Sequence, residues 1–120
     1  MQRVTFAGAL SIAALAVVFV AGVPGTARSQ DAAQVKKGEA VYTAQKCSMC
    51  HSVAGKGGKA SALDGVGKKL SAADIKEWIV DPPAASKKAN STKKPAMPKK
   101  YHTLAAADID ALVAYMQSLK

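Results

Sequence analysis

An all-α fold is what this sequence predicts, and three observations predict it. Apolar residues recur at helical spacing in three separate stretches. No stretch alternates apolar and polar residues as a half-buried strand does. The remaining segments, rich in glycine, lysine and proline, lie between the helical ones.

Residues 33–46 form the first predicted helix, with Val35, Gly38, Val41, Tyr42 and Gln45 near one face. Glycine inside a helix costs about 1 kcal/mol relative to alanine, so Gly38 marks a place where another backbone or ring passes close. The second helix opens at Ser71, an N-cap whose capping-box partner is Asp74. Ile75, Trp78 and Ile79 form its apolar face, and Asp81-Pro82-Pro83 ends it. The third spans residues 105–119, where Ile109, Leu112, Val113, Met116 and Leu119 line one stripe. Residues 54–70 and 82–103 are expected to be irregular. A structureless loop of about 20 residues counts against a compact domain unless it wraps a ligand, and here a ligand is expected.

The chain has 120 residues, a formal charge of +9, two cysteines and one tryptophan, which is room for one small domain. Both phenylalanines, Phe6 and Phe19, fall in the apolar N-terminal run; beyond Gln30 the aromatics are Tyr42, Trp78, Tyr101 and Tyr115. A domain of this size buries a modest share of its surface and often needs a metal, disulfide or cofactor as reinforcement. A multidomain enzyme, a repeat array and a polytopic membrane protein are not expected.

Arg3, the apolar run over residues 4–23 and the small residues near Ala27 give residues 1–29 the form of a secretory signal peptide. Ala27-Arg28-Ser29 and Gly25-Thr26-Ala27 both fit small-x-small cleavage. The run is also long enough to serve as an uncleaved anchor, the one case in which membrane contact is expected. On either reading residues 30–120 are expected to be an exported, periplasmic domain, and export disfavours nucleic acid as the partner of a basic chain.

Cys47-Ser48-Met49-Cys50-His51 has the Cys-x-x-Cys-His spacing of c-type haem attachment. Two thiols on one turn of backbone can each add to a vinyl group on one porphyrin edge, and the adjoining imidazole becomes an axial ligand. A thioredoxin-like redox pair would need a βαβ context, which is missing. A zinc site would have only His51 and His102 as partners, at unsuitable spacing. A plain disulfide, common in exported chains, leaves the adjacent histidine unexplained. One covalent haem c is therefore expected, on Cys47 and Cys50, with His51 bound to the iron.

The sixth ligand must come from elsewhere. Met97, in Lys94-Pro95-Ala96-Met97-Pro98, is the candidate, because the flanking prolines present its thioether from an extended, constrained segment. His102 is the alternative, giving bis-histidine ligation. Met49 lies within the attachment loop, and Met116 belongs to the apolar stripe of the last helix.

With these residues in place, the chain from Val35 to Lys120 resembles class I cytochrome c of the small, monohaem bacterial type. The resemblance implies a domain of three main helices around one covalent haem, and pairs Gly38 on the first helix with Tyr115 on the last. It likens residues 63–70 to the family's proximal stretch, sets Trp78 near a haem propionate, and makes Met97-Pro98, with Tyr101 and Leu104, the ligand loop. Two departures stand out. Where the family often has Gly-Pro-x-Leu, this chain has Ala60-Ser61-Ala62-Leu63, so the carbonyl that receives the His51 imidazole proton stays open, with that of Ser61 able to serve in a less fixed geometry. Ala105 replaces the usual hydroxyl cap of the closing helix, at a cost of about 1 kcal/mol unless Thr103 substitutes.

An iron held by His51 and Met97 has no vacant position for substrate, so the resemblance implies a one-electron carrier and not an enzyme. Lys87, Lys88, Lys93, Lys94, Lys99 and Lys100 flank the ligand loop. If they ring the haem edge they steer a redox partner with an acidic docking surface; alternatively they only keep a long loop soluble. Two further readings stay open. One is a haem protein with an open distal face for gas binding or peroxide reduction; the other is an electron-transfer subunit of a larger oxidase or dehydrogenase.

Overall fold

The computed structural model describes residues 25–120, so the apolar leader lies outside the described residues. Helix α1 runs Gly25–Ala44, and a 3-10 turn follows at Cys47–Met49. Three short strands come next: β1 (His51–Val53), β2 (Lys56–Gly57) and β3 (Ser61–Ala62). Helices α2 (Val66–Lys69), α3 (Ala72–Val80) and α4 (Pro82–Lys88) follow; a second 3-10 turn, Tyr101–Thr103, leads into α5 (Ala106–Ser118).

The fold class is as expected, with three differences of detail. Helix α1 begins earlier than predicted, within the small-residue segment near Ala27. It also ends two residues sooner, where Lys46 turns into the left-handed region at φ 56°. The one-turn helix α2 and a small sheet occupy part of the segment expected to be irregular. In the sheet β1 pairs antiparallel with β2 and parallel with β3, matching Ser52 with Gly57 and His51 with Ser61. Its strands are two or three residues long, too short for apolar alternation to register. Ala54 and Gly55, both at positive φ, make the tight turn between β1 and β2.

The third difference is α4. Asp81-Pro82-Pro83 does end α3, but it also starts a new helix. Prolines suit a first helical turn, whose N–H groups have no intrahelical acceptor. Pro82 and Ala85 are buried, and Lys88 reaches back to Asp74 at 2.7 Å and Glu77 at 3.1 Å, tying α4 to α3. Only residues 89–100 remain irregular of the loop expected over 82–103.

At the start of α3 the predicted cap is present: the Asp74 N–H donates to Ser71 Oγ at 3.1 Å, and the hydroxyl donates to Asp74 Oδ2 at 2.6 Å. Helix α5 has no side-chain cap, and Thr103 does not supply one; its hydroxyl donates to the Lys100 carbonyl at 2.9 Å.

Tyr42, Ile75, Ile79, Ile109, Leu112 and Met116 form the core, drawn from α1, α3 and α5. Two glycines set the distances between the helices around it. A Cβ on Gly38 would strike the Ala111 carbonyl oxygen and lie 2.7 Å from Tyr115 Cβ, so α1 and α5 cross in backbone contact. Gly67 of α2 meets the Gln117 carbonyl in the same way, and its N–H donates to the Leu119 carbonyl at 2.8 Å.

Candidate functional site

The left-handed Lys46 turns the chain out of α1 directly into the cysteine motif. Within the 3-10 turn the Met49 N–H donates to the Lys46 carbonyl at 3.0 Å, and the Cys50 N–H to the Cys47 carbonyl at 3.2 Å. Both cysteines therefore project from one tight turn as free thiols, Cys47 half-buried against the core and Cys50 exposed. Burial pushes the Cys47 thiol above its ordinary value. The turn is backed by residues 57–61. The Gly58 N–H donates to the Ser48 carbonyl at 2.8 Å, the Ser61 N–H to the Cys50 carbonyl at 3.2 Å, and a Cβ on Gly58 would strike the Met49 carbonyl.

His51 Nδ1 lies 3.0 Å from the Ser61 carbonyl oxygen. A carbonyl only accepts, so Nδ1 carries a proton, and in the neutral imidazole the lone pair is on Nε2. The parallel match of His51 with Ser61 creates this bond, so the strand ladder fixes the carbonyl without the family's proline. At its backbone end, His51 accepts a hydrogen bond on its carbonyl from Tyr42 Oη at 3.2 Å. Burial, then the Cys47 thiol and Tyr115, push the Tyr42 phenol up to about 12, so it remains a donor.

Met97 is half-buried within residues 89–100 and is not packed in the hydrophobic core, which leaves its thioether uncommitted. Met116 is a core residue and Met49 is 75% exposed, while His102 is exposed on the second 3-10 turn. The chain just beyond Met97 returns to the cysteines: burial, then the Cys47 and Cys50 thiols, raise the Tyr101 phenol, and Lys100 acts on Cys47 in the opposite sense. Tyr101 and Leu104 pack against the core beside Cys47, Leu63, Val66 and Leu70. Trp78 is half-buried and stands apart from that packing, although Ile75 and Ile79 on the same helix are buried.

These side chains fit a covalently tethered haem: two adjacent thiols, an imidazole with a free Nε2, a free thioether and a partly exposed apolar lining. Zinc fits poorly, since among the described residues no three His, Cys, Asp or Glu side chains gather as a metal-holding group. Neither the role of the Tyr42 hydroxyl nor the backing role of Gly58 is legible in the sequence. The adjacent glycines at 57 and 58, seven and eight residues after Cys50, were the available signal.

The six lysines near the ligand loop differ in their engagements. Lys88 is bound by Asp74 and Glu77, Lys99 pairs with Asp81 at 3.3 Å, and Lys100 lies 5.2 Å from the centre of the Tyr101 ring. Lys87, Lys93 and Lys94 are exposed and form no ion pair with any described residue.

Comparison with known families matches residues 35–120 to the family described as Cytochrome c. No curated protein and no solved structure matches the chain.

Proposed function

The chain belongs to the cytochrome c family, and on that premise we propose that it is a periplasmic one-electron carrier of the class I bacterial type, with a single haem c. Family membership carries haem-based electron transfer between partner proteins. The observation that carries the finer reading is the His51–Ser61 hydrogen bond, which occupies Nδ1 and leaves Nε2 of the neutral imidazole as the nitrogen available to a metal.

Cys47 and Cys50 would hold the group through thioether bonds, and His51 Nε2 and the Met97 sulfur would take the two axial positions. When bound, the group supplies a one-electron change at iron, and methionine ligation raises its potential. Both cysteines of the chain stand in this one motif, which is the reason for proposing one haem. If His51 and Met97 both held the iron, no position would be left for a substrate, so the reading is a carrier and not an enzyme. The residues of the chain bind, orient and shield: Ser61 holds the imidazole proton, Gly58 lets the backbone close behind the turn, and Tyr101 and Leu104 exclude water. Lys87, Lys93, Lys94 and Lys100 would draw in a partner with an acidic docking surface, so association should weaken with salt. The leader in the sequence supports export, with residues 1–29 removed on cleavage.

Expression with haem-maturation machinery, followed by intact mass and a pyridine-haemochrome spectrum, tests this directly. One haem held by two thioethers, on a chain lacking the leader, is expected. A colourless protein with the mass of its amino acids alone overturns the proposal. The Met97 assignment has its own test: the ferric protein should show a weak long-wavelength sulfur-to-iron band that Met97→Ala abolishes. Absence of that band in the wild type would point to an open distal face.

A further inference from the structure

We infer that Tyr42 is a positioning residue for the His51 imidazole, acting through its hydroxyl on the His51 carbonyl; this rests on the ligand role proposed for His51. The ring of Tyr42 is 6% exposed and meets Tyr115 edge-to-face, with centroids 5.5 Å apart. Phenylalanine would fill that packing position equally well. What phenylalanine lacks is the hydroxyl, and the hydroxyl donates to the His51 carbonyl at 3.2 Å.

Three elements converge on His51. From α1, Tyr42 holds the carbonyl. From β2, Gly57 abuts the same oxygen so closely that a Cβ would strike it. From β3, the Ser61 carbonyl holds ring Nδ1 at 3.0 Å. Fixing the carbonyl sets the backbone torsion of His51, and fixing Nδ1 sets the rotation of its ring. With both ends held, the plane of the imidazole is determined by the protein before any metal is bound. Outer partners of this kind orient a metal ligand and tune its basicity. A packing role for Tyr42 belongs to its ring; the positioning role belongs to one oxygen atom.

The test uses the haem-loaded chain as wild type, Tyr42→Phe and Tyr115→Phe. Tyr115 is the control, being the other ring of the pair and making no hydrogen bond to His51. In low-spin ferric iron the axial imidazole plane governs how unpaired spin is distributed over the haem, which the four haem methyl proton resonances report. Tyr42→Phe should change the order or spread of those resonances and speed exchange of the His51 Nδ1 proton about two- to tenfold, the loss of one neutral hydrogen bond. Tyr115→Phe should leave both unchanged. In the wild type, the Tyr42 hydroxyl proton should appear as a slowly exchanging resonance close to the Ser52 amide, a readout that requires no variant. Unaltered methyl resonances in Tyr42→Phe, equal changes in both variants, or a rapidly exchanging Tyr42 hydroxyl in the wild type would overturn the inference while leaving the haem assignment intact. A wild type without haem would overturn both.

Discussion

Gly38→Ala perturbs the contact on which the crossing of α1 and α5 depends. The added methyl would strike the Ala111 carbonyl oxygen and lie 2.7 Å from both the Ala111 carbonyl carbon and Tyr115 Cβ. The atoms it meets are backbone, or fixed to backbone, so rotation of a flexible side chain cannot relieve the contact. The helices must separate, and overpacking of this kind costs about 1–3 kcal/mol, here toward the upper end because no rotamer escapes it. Against this, alanine in place of glycine stabilises a helix interior by about 1 kcal/mol. The net expectation is a loss of about 2 kcal/mol. For a domain of this size that lowers the melting temperature by about 8–16 °C. Thermal unfolding of the haem-loaded protein, followed by circular dichroism in the far ultraviolet, measures it. Gly55→Ala is the comparison: nothing lies within 4 Å of the added methyl, and only its positive φ of 74° opposes the change. A Gly38→Ala protein as stable as the wild type would refute the close-crossing argument.

Other expectations concern the supports of the site. Hydrogen bonding from Lys88, then from Ser71, holds the Asp74 carboxyl down at about 2. A carboxylate with a depressed folded-state value contributes stability above its ordinary value near 3.8, and loses it as pH falls toward 2. Lys88→Met should therefore move the Asp74 midpoint, read by carboxyl carbon NMR, back toward 3.8 and reduce the acid dependence of unfolding between those values; an unmoved midpoint would contradict the clamp. Ala54 occupies the left-handed region at φ 51° in the β1–β2 turn, so Ala54→Gly should stabilise by about 0.5–1 kcal/mol in urea unfolding. No gain there would mean that the turn carries no strain at this residue.

The legible parts of the fold were those in which one residue type forces one outcome locally. Ser71 with Asp74 announced the start of α3, and the stripe from Ile109 to Met116 announced α5. Gly38 announced the crossing because glycine in a helix interior is unfavourable unless space requires it. The start of α4 was not legible because Pro82-Pro83 meets the rule that ends one helix and the rule that begins another. Burial of Pro82 and Ala85 decided between them, and that is a tertiary fact. The sheet was hidden by brevity, and Gly67 by a contact with α5 fifty residues away. At the site, the contiguous motif over residues 47–51 could be read directly. The partner of His51 could be named only as an open question, since a serine carbonyl has no sequence signature and its place depends on strand register. Periodicity puts Tyr42 on one face of the first helix, and it is a core aromatic there; its second role appears only when the end of β1 is set beside α1.

The segment that carries Met97 is moored at both ends to one helix. Lys88 holds the near end to Asp74 and Glu77 on α3, and Lys99 holds the far end to Asp81 at the terminus of that same helix. It resembles a span hung from two piers on a single foundation. Because both ties run to α3 and its terminal residue, a shift of α3 pulls on the two ends of the span together. All three ties lie at the surface, where added electrolyte weakens them together. Ionic strength thus acts on the freedom of the Met97 thioether as well as on encounters with other proteins.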